Sequence, residues 1–206
     1  MKAVAIDAST SLVCAVLENG SVACWGSGSY GMLGNGVENN LVKPPGLTLP
    51  IGAEAIDVAT RDDGACALLV NGSVSCWGRD NSGQLGSGLV NGSQSSTTQL
   101  SLSPNYTSPL PNGKKATAIT AGYDHTCVLL EDGNVACWGS NNEGQLGLGN
   151  TSAAVSVPTL TLSLGAAATA IETDYKHTCA VLVNGSVYCW GLNDRGQVGN
   201  LSLIHI

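Results

Sequence analysis

Short apolar runs separated by glycine-bearing turns follow one another along the chain, and helical periodicity is almost absent. The most regular example is "CAVLENGSVACWG" at residues 14–26, where two apolar arms flank an Asn-Gly pair. Such arms around a tight turn predict two antiparallel strands joined as a hairpin. The pattern therefore predicts an all-β chain of short strands.

The same thirteen-residue phrase returns three more times, with first cysteines at 66, 127 and 179. The four first cysteines are 52, 61 and 52 residues apart. An aliphatic residue lies eight positions before each of them, and a glycine-rich tail follows each Trp-Gly. Short strands that repeat with a period of about 50 residues are typical of propeller blades. We expect a partial β-propeller of about four blades, with four short antiparallel strands per blade.

The units divide a single propeller segment, residues 1–200, into repeats at about 2–53, 54–113, 114–166 and a truncated 167–200. A short alternating run after the tail supplies the fourth strand in three units, beginning at Leu47, Leu100 and Leu160. The second unit is longer because it carries about nine extra residues near "SPNYTSPLPNG".

The turn chemistry fixes the register of each hairpin. Asn or Asp followed by Gly favours a three-residue loop that ends in a left-handed glycine. With Glu18, Asn19 and Gly20 in that loop, Cys14 faces Cys24 on a non-hydrogen-bonded pair. Cα atoms come within about 4.5 Å at such a pair, which a disulfide accepts.

The same register predicts four disulfides, each within one hairpin: Cys14–Cys24, Cys66–Cys76, Cys127–Cys137 and Cys179–Cys189. Zinc sites usually place their cysteines two to four residues apart, so the nine-residue gap does not match them. Eight reduced, buried cysteines remain an alternative. Four disulfides would indicate an oxidising compartment.

Both faces of the hairpin are apolar, as expected for a blade packed between two others. One face carries Cys14, Val16, Val22 and Cys24, and the other includes Trp25. We expect the repeated tryptophans to pack in the structural core: Trp25, Trp77, Trp138 and Trp190.

These residues resemble the repeat of the regulator of chromosome condensation family, whose blade is similar to "HTCVLLEDGNVACWGSNNEGQLGLG" at 125–149. The resemblance covers nearly the whole chain and implies a propeller that typically has seven blades. Four units therefore suggest a fragment, and a missing upstream segment would explain why no signal peptide is seen. The final residues, 201–206, match a sequencing-adapter translation, and we exclude them from the fold.

Composition argues against nucleic-acid binding and against a membrane span. Eight Lys and Arg against fifteen Asp and Glu give a formal charge of −7, and no basic run exists. Direct nucleic-acid binding normally needs a basic face, so it is not expected. No apolar stretch approaches the roughly 20 residues that span a bilayer, so no membrane span is expected.

No catalytic, metal or cofactor site is expected from the sequence. His125 and His177 share one repeat position, which favours a structural role, and His205 lies in the excluded segment. Gln84, Gln145 and Gln197 recur in the tails, where we expect bonds to backbone within the blade. Scattered aspartates do not form a calcium loop: Asp62, Asp63, Asp80, Asp124 and Asp174.

Glycosylation sequons are frequent. Asn19, Asn71 and Asn184 lie in tight turns, where the turn role of asparagine is sufficient. Asn105 is the best candidate for a glycan, followed by Asn91 and Asn150 in looser segments.

We expect a non-catalytic, protein-binding propeller segment in an extracellular, secreted or cell-surface setting, with a partner of unknown identity. Recognition is expected in loops at the blade ends, chiefly residues 89–113. Two alternatives stay open: a guanine-nucleotide exchange factor for a small GTPase, which the resemblance implies, and a secreted enzyme inhibitor.

Overall fold

The structure is a computed structural model that describes residues 2–41, 49, 53–88, 100–108, 110–151, 154–158, 162 and 164–199. For residues 100–108 it describes the backbone only. The Leu47 and Leu160 runs fall largely outside the described residues, as do 89–99 and 200–206.

Thirteen strands make up the regular structure of the described chain. They are β1 Ala3–Ala8, β2 Leu12–Leu17, β3 Val22–Gly26, β4 Ala55–Arg61, β5 Gly64–Leu69, β6 Val74–Arg79, β7 Leu100–Ser108, β8 Ala116–Ala121, β9 His125–Leu130, β10 Val135–Gly139, β11 Ala168–Asp174, β12 His177–Leu182 and β13 Val187–Gly191. Two single-turn 3₁₀ helices lie at Ser29–Gly31 and Pro111–Gly113. Among these residues no helix is long and apolar enough to cross a membrane.

The strands form four antiparallel sheets in chain order, which confirms the predicted all-β partial propeller. Blade 1 is β1-β2-β3, blade 2 is β4-β5-β6-β7, blade 3 is β8-β9-β10 and blade 4 is β11-β12-β13. Only blade 2 has the predicted fourth strand among the described residues. In blades 1 and 3 two isolated bridges mark its position: Val22 with Leu49 and Gly26 with Leu41, then Val135 with Leu162 and Gly139 with Val155.

Strand β7 accounts for the length of the second unit. Leu100 and Ser101 pair with Arg79 and Gly78, and pairing resumes at Tyr106 opposite Cys76. The residues between form a wide bulge that contains Pro104, where no ladder hydrogen bond is needed from the proline. The extra residues thus extend the edge strand and are not only a loop.

The hairpin register is as predicted. Cys14 pairs with Cys24 and Val16 with Val22, and the equivalent pairs recur in the other blades. Gly20 closes the first loop at φ 73°, and its N–H donates to the Leu17 carbonyl over 2.8 Å. A Cβ there would lie 2.4 Å from Glu54 Cβ, so the turn requires glycine for space as well as for conformation.

Three apolar layers lie between consecutive blades. In each, the cysteine face of one blade packs against the tryptophan face of the next. The first layer joins Cys14, Val16 and Cys24 to Trp77, and the next two repeat the arrangement around Trp138 and Trp190. No blade buries a face alone, as expected for stacked repeats.

The first strands of the blades lie side by side, since β1 contacts β4, β4 contacts β8 and β8 contacts β11. Together they line one wall of a channel. We call one end of the channel the turn end, where first and second strands connect at 9–11, 62–63, 122–124 and 175–176. The Asn-Gly and Asp-Gly loops lie at the opposite, hairpin end.

Candidate binding surface at the channel mouth

A disulfide links the two cysteines of every predicted pair. Their Cα–Cα distances are 4.1, 4.0, 4.1 and 4.1 Å in chain order. The sulfur atoms of blades 1 to 3 lie within the layers between blades, whereas Cys179 and Cys189 are partly exposed. The difference arises because the cysteine face of blade 4 has no neighbouring blade among the described residues.

Three of the four tryptophans, Trp77, Trp138 and Trp190, lie in the core, and each forms a hydrogen bond to the preceding blade. The indole N–H of each donates to a main-chain carbonyl in the tail of the preceding blade. These bonds run from Trp77 to Met32 over 2.9 Å, from Trp138 to Gln84 over 3.0 Å and from Trp190 to Gln145 over 2.9 Å. This hydrogen bond and close packing thus help to fix each of these blades against the one before it.

Trp25 departs from the prediction that it belongs to the core. It is only half-buried and lies outside all three apolar layers. The physical reason is that its face of blade 1 has no preceding blade among the described residues to cover it.

The tail glutamines bond within their own blades, as predicted. The side-chain oxygens of Gln84, Gln145 and Gln197 each accept a main-chain N–H from two residues earlier, over 2.8 to 2.9 Å. This bond holds the tail in place, so that the carbonyls of Gln84 and Gln145 face the next blade.

A threonine hydroxyl adds a second bond to those two carbonyls. Thr126 donates to Gln84 O and Thr178 donates to Gln145 O, each over 3.0 Å. Because each hydroxyl has one proton, it must accept its other hydrogen bond. His125 Nε2 therefore donates to Thr178 over 2.9 Å, with Nδ1 unprotonated.

His125 is fully buried, and Nδ1 has no hydrogen-bond partner among the described residues. Burial lowers the pKa of His125 to about 3, and nearby His177 and Arg61 act in the same direction. The ring is neutral at physiological pH, which supports the structural role predicted for it.

In blade 2 an arginine takes the place of that histidine. Arg61 is buried, donates through Nη1 to Thr126 over 3.4 Å, and forms an ion pair with Asp63 at 3.1 Å. Burial raises the pKa of the Asp63 carboxyl to about 6, although Arg61 opposes that shift. The ion pair lies between blades and is not open to a ligand.

The channel wall encloses a space that could receive a ligand. A cavity of about 680 Å³ opens at the turn end. We call it the channel cavity, and its polar lining includes Asp7, Asp57, Asp62, Glu172, Asp174, Tyr123 and Tyr175. Carboxylates scattered in the sequence thus meet around one space, which sequence reasoning did not predict.

These carboxyl groups affect one another. Burial and then the charges of Asp7, Asp57 and Asp174 raise the pKa of Glu172. Burial is also the main cause that raises the pKa of Asp57, with a further contribution from Asp7. Carboxylates from three blades therefore repel each other across the cavity.

Two exposed tyrosines, Tyr123 and Tyr175, line the mouth of the cavity, and a third, Tyr30, follows the end of β3 at the turn end of blade 1. Tyr30, Tyr123 and Tyr175 are 45%, 40% and 51% exposed. Tyr30 and Tyr175 adopt positive φ angles of 59° and 40°, which are rare for bulky side chains. Strain of this kind is often kept at functional sites.

We define the tyrosine rim as Tyr30, Arg79, Tyr123, Asp124, Tyr175 and Lys176, in which the Asp124 charge interacts with those of Arg79 and Lys176. Arg79 Cζ lies 5.0 Å from the Tyr30 ring centroid, and Lys176 Nζ lies 5.6 Å from that of Tyr175. The rings of Tyr123 and Tyr175 are 5.4 Å apart at 60°. The Asp124 charge raises the pKa of the Tyr123 hydroxyl above its usual value.

Sequence reasoning missed the rim. It favoured residues 89–113, of which 89–99 and 109 lie outside the described residues and 100–108 form β7. A signal was present, since Tyr123 and Tyr175 occupy one repeat position that holds Thr10 and Asp62 in the other units. A surface position that is aromatic in only some repeats is not required for the fold of the blade, so its side chain is available for binding.

Three sequon asparagines lie in the hairpin loops, where each bonds to the backbone of its own turn. Asn19, Asn71 and Asn184 each accept the main-chain N–H two residues on, over 2.9 to 3.2 Å, which is the predicted turn role. Asn150 is exposed and bonds to Asn141. Asn91 lies outside the described residues, and at Asn105 only the backbone is described.

The side chains of the channel cavity and the tyrosine rim are suited to binding another molecule. Within the described ranges no group of three or more His, Cys, Asp or Glu could hold a metal ion. The histidine at 125 is sealed between blades, and the carboxylates of the cavity are spread over three blades. Tyrosine and arginine side chains are enriched at protein–protein interfaces.

Two family models match the chain, and both describe the "Regulator of chromosome condensation (RCC1) repeat". One covers residues 71–129 and 132–181, and the other covers 116–145 and 175–197. The first spans more than half of the chain. The match over 116–145 and 175–197 contains both cysteines of blade 3 and of blade 4, whereas the other match ends at residue 181, before Cys189.

Curated relatives are similar along most of this chain. The ultraviolet-B receptor UVR8 of Arabidopsis thaliana is 30% identical over 179 residues, which cover 87% of this chain and 39% of the receptor. The E3 ubiquitin-protein ligase HERC2 of Homo sapiens is 32% identical over 189 residues, 90% of this chain and 4% of the ligase. This chain thus spans less than half of these relatives.

Solved structures share the fold. Human WBSCR16 superposes with a TM-score of 0.82 at 24% identity, covering 98% of this chain and 51% of that one. Yeast RCC1 (Prp20), solved bound to Kap60, gives 0.77 at 22% identity, with 97% and 46% covered. At these sequence identities the structural similarity shows the propeller fold alone.

Proposed function

Because the chain belongs to the regulator of chromosome condensation (RCC1) repeat family, we propose that it is a protein-binding propeller segment without catalysis of its own. We further propose that it works outside the cell or at its surface. The tyrosine rim is the surface through which it binds its partner.

The exposure of the rim carries this proposal. Tyr123 and Tyr175 present two aromatic faces at the mouth of a cavity, and Tyr175 does so at φ 40°. Tyrosine and arginine are enriched among residues that dominate binding energy at protein interfaces. Tyr30 with Arg79 forms a second aromatic–cation pair in addition to Tyr175 with Lys176.

The cysteines support the extracellular setting. Each hairpin joins its own pair, and six of the eight sulfurs lie between blades. Four disulfides in a chain of this size are typical of proteins that fold in an oxidising space. The charge of −7 also disfavours an exchange factor held on chromatin.

The test is capture of purified secreted and cell-surface ectodomains by the full chain. Replacing both mouth tyrosines, Tyr123→Ser with Tyr175→Ser, should weaken capture at least about tenfold, because interface hot spots cost above ~1 kcal/mol each. Tyr188→Ser is the matched control, since Tyr188 is 47% exposed but lies in β13, away from the rim. It should change capture by less than about twofold.

Two results would contradict the proposal. One is a partner whose capture is equally sensitive to the rim and control variants. The other is robust acceleration of nucleotide release from a small nuclear GTPase by the reduced chain, which would favour the exchange-factor alternative. Peptide mapping without reductant should also find the four predicted cysteine pairs, and free thiols would overturn the extracellular part.

A further inference from the structure

The channel cavity has an unbalanced charge. Asp7, Asp57 and Glu172 line it from three different blades. Asp7 Oδ2 accepts two bonds from Thr60, over 2.6 and 2.9 Å, and Asp57 Oδ1 accepts one from Val58. These bonds hold the two aspartates in place but add no positive charge.

The protein does not neutralise these carboxylates from within the described lining. Arg61 is the one cation there, and its guanidinium is buried between blades 2 and 3, where Nε bonds to Asp63 and Nη1 to Thr126 and none of its nitrogens bonds to Asp7, Asp57 or Glu172. At the mouth, Lys176 already pairs with Glu143 at 3.3 Å. The cavity is therefore poised to attract a cation from outside.

The mouth favours an organic cation over a metal ion. Among the described residues no group of three or more His, Cys, Asp or Glu could hold a metal ion. Tyr123 and Tyr175 also line the cavity, with rings tilted at 60°. Aromatic faces stabilise ammonium and guanidinium groups and pack along the aliphatic stems that carry them.

We propose that the channel cavity receives a lysine or arginine side chain of the protein partner. Its charged group lies among Asp7, Asp57 and Glu172, and its stem passes Tyr123 and Tyr175. A volume of about 680 Å³ is within the range of pockets that enclose small ligands. This inference rests on the proposed function, because it names the chemistry of the partner at the same rim.

The test uses the immobilised full chain and four blocked Gly-Ser peptides with one central residue. That residue is lysine, arginine, or the neutral isosteres norleucine and citrulline. We expect steady-state binding of the two cationic peptides at least about tenfold tighter than that of their isosteres. Asp57→Asn with Glu172→Gln should reduce cationic binding about tenfold.

The matched control is Glu18→Gln with Glu54→Gln, which removes the same charge from exposed positions away from the cavity. It should leave binding within about twofold. Equal binding of cationic and neutral peptides would overturn the proposal. Equal weakening by both double variants would also overturn it, since only the overall field of the protein would then be acting.

Partner capture separates this inference from the proposed function. If Tyr123→Ser with Tyr175→Ser abolishes capture while Asp57→Asn with Glu172→Gln does not, the partner uses the rim and the cavity proposal fails. If neither double variant affects capture, the rim itself is not the binding surface.

Discussion

His125 shows how one buried side chain couples this fold to pH. Its pKa lies at about 3 in the folded chain and near 6.5 when unfolded. The unfolded state therefore takes up a proton at a higher pH than the folded state, and stability is lost as pH falls below about 6.5.

We predict that His125→Gln removes this loss. Between pH 6.5 and pH 4 the stability difference between wild type and variant should change in the variant's favour by up to about 1.4 kcal/mol per pH unit. Asp63 titrates in the opposite direction over part of this range, but it is present in both proteins and cancels. Denaturant unfolding across the pH range measures this, and parallel curves would contradict it.

At the residue scale, sequence reasoning succeeded where one feature decides the outcome. The Asn-Gly turn sets the hairpin register, and register alone brings Cys14 opposite Cys24. It failed at Tyr175, because presentation of that ring depends on a backbone φ of 40° that no local sequence signal requires. It also failed at Trp25, whose burial depends on a neighbouring blade.

At the element scale, blades 2 and 3 fill the space next to the following blade with different side chains, Arg61 in blade 2 and His125 in blade 3. Blade 2 has Arg61 and Gly64, whereas blade 3 has Gly122 and His125 at the equivalent positions. A Cβ on Gly64 would lie 2.4 Å from the Trp77 carbonyl oxygen and 2.8 Å from Arg61 Nη2, and one on Gly122 would lie 2.3 Å from His125 Cε1. Each glycine leaves room for the polar side chain of its own blade.

We predict that substitutions at positions 61 and 64 compensate for each other. Gly64→His alone should cost about 1–3 kcal/mol by overpacking, and Arg61→Gly alone about 3–5 kcal/mol by leaving Asp63 without its buried partner. The double variant reproduces the pairing of blade 3 and should cost at least about 1 kcal/mol less than the sum. Free energies of unfolding decide the matter, and additive costs would show that the two positions are independent.

At the scale of the whole molecule, the period and the two apolar faces of each hairpin were enough to predict stacked blades. They did not predict the channel cavity, because Asp7, Asp57 and Glu172 occupy no common repeat position as a set. Asp57 lies two positions earlier in its unit than Asp7 and Glu172 do in theirs. Only the stacking of first strands brings the three carboxylates to one space.

Two blade faces remain open among the described residues. On blade 4, Val181 and Val187 are 39% and 62% exposed, whereas their equivalents in blade 3, Leu129 and Val135, are 7% and 0% exposed. Ile6 is 65% exposed on the tryptophan side of blade 1. Exposed apolar faces of this kind favour association.

We therefore predict that the 206-residue chain associates at micromolar concentration, and that Val187→Lys shifts it toward the monomer. Lysine at that position places a charge in the open apolar face, which must be desolvated for a second surface to pack there. Val70→Lys is the matched control, because Val70 is also 62% exposed but lies in a hairpin loop. Sedimentation velocity over a concentration series measures both variants. A monodisperse wild-type monomer that unfolds cooperatively would show that four blades suffice, and an equal response to Val70→Lys would show that the open face is not the site of association.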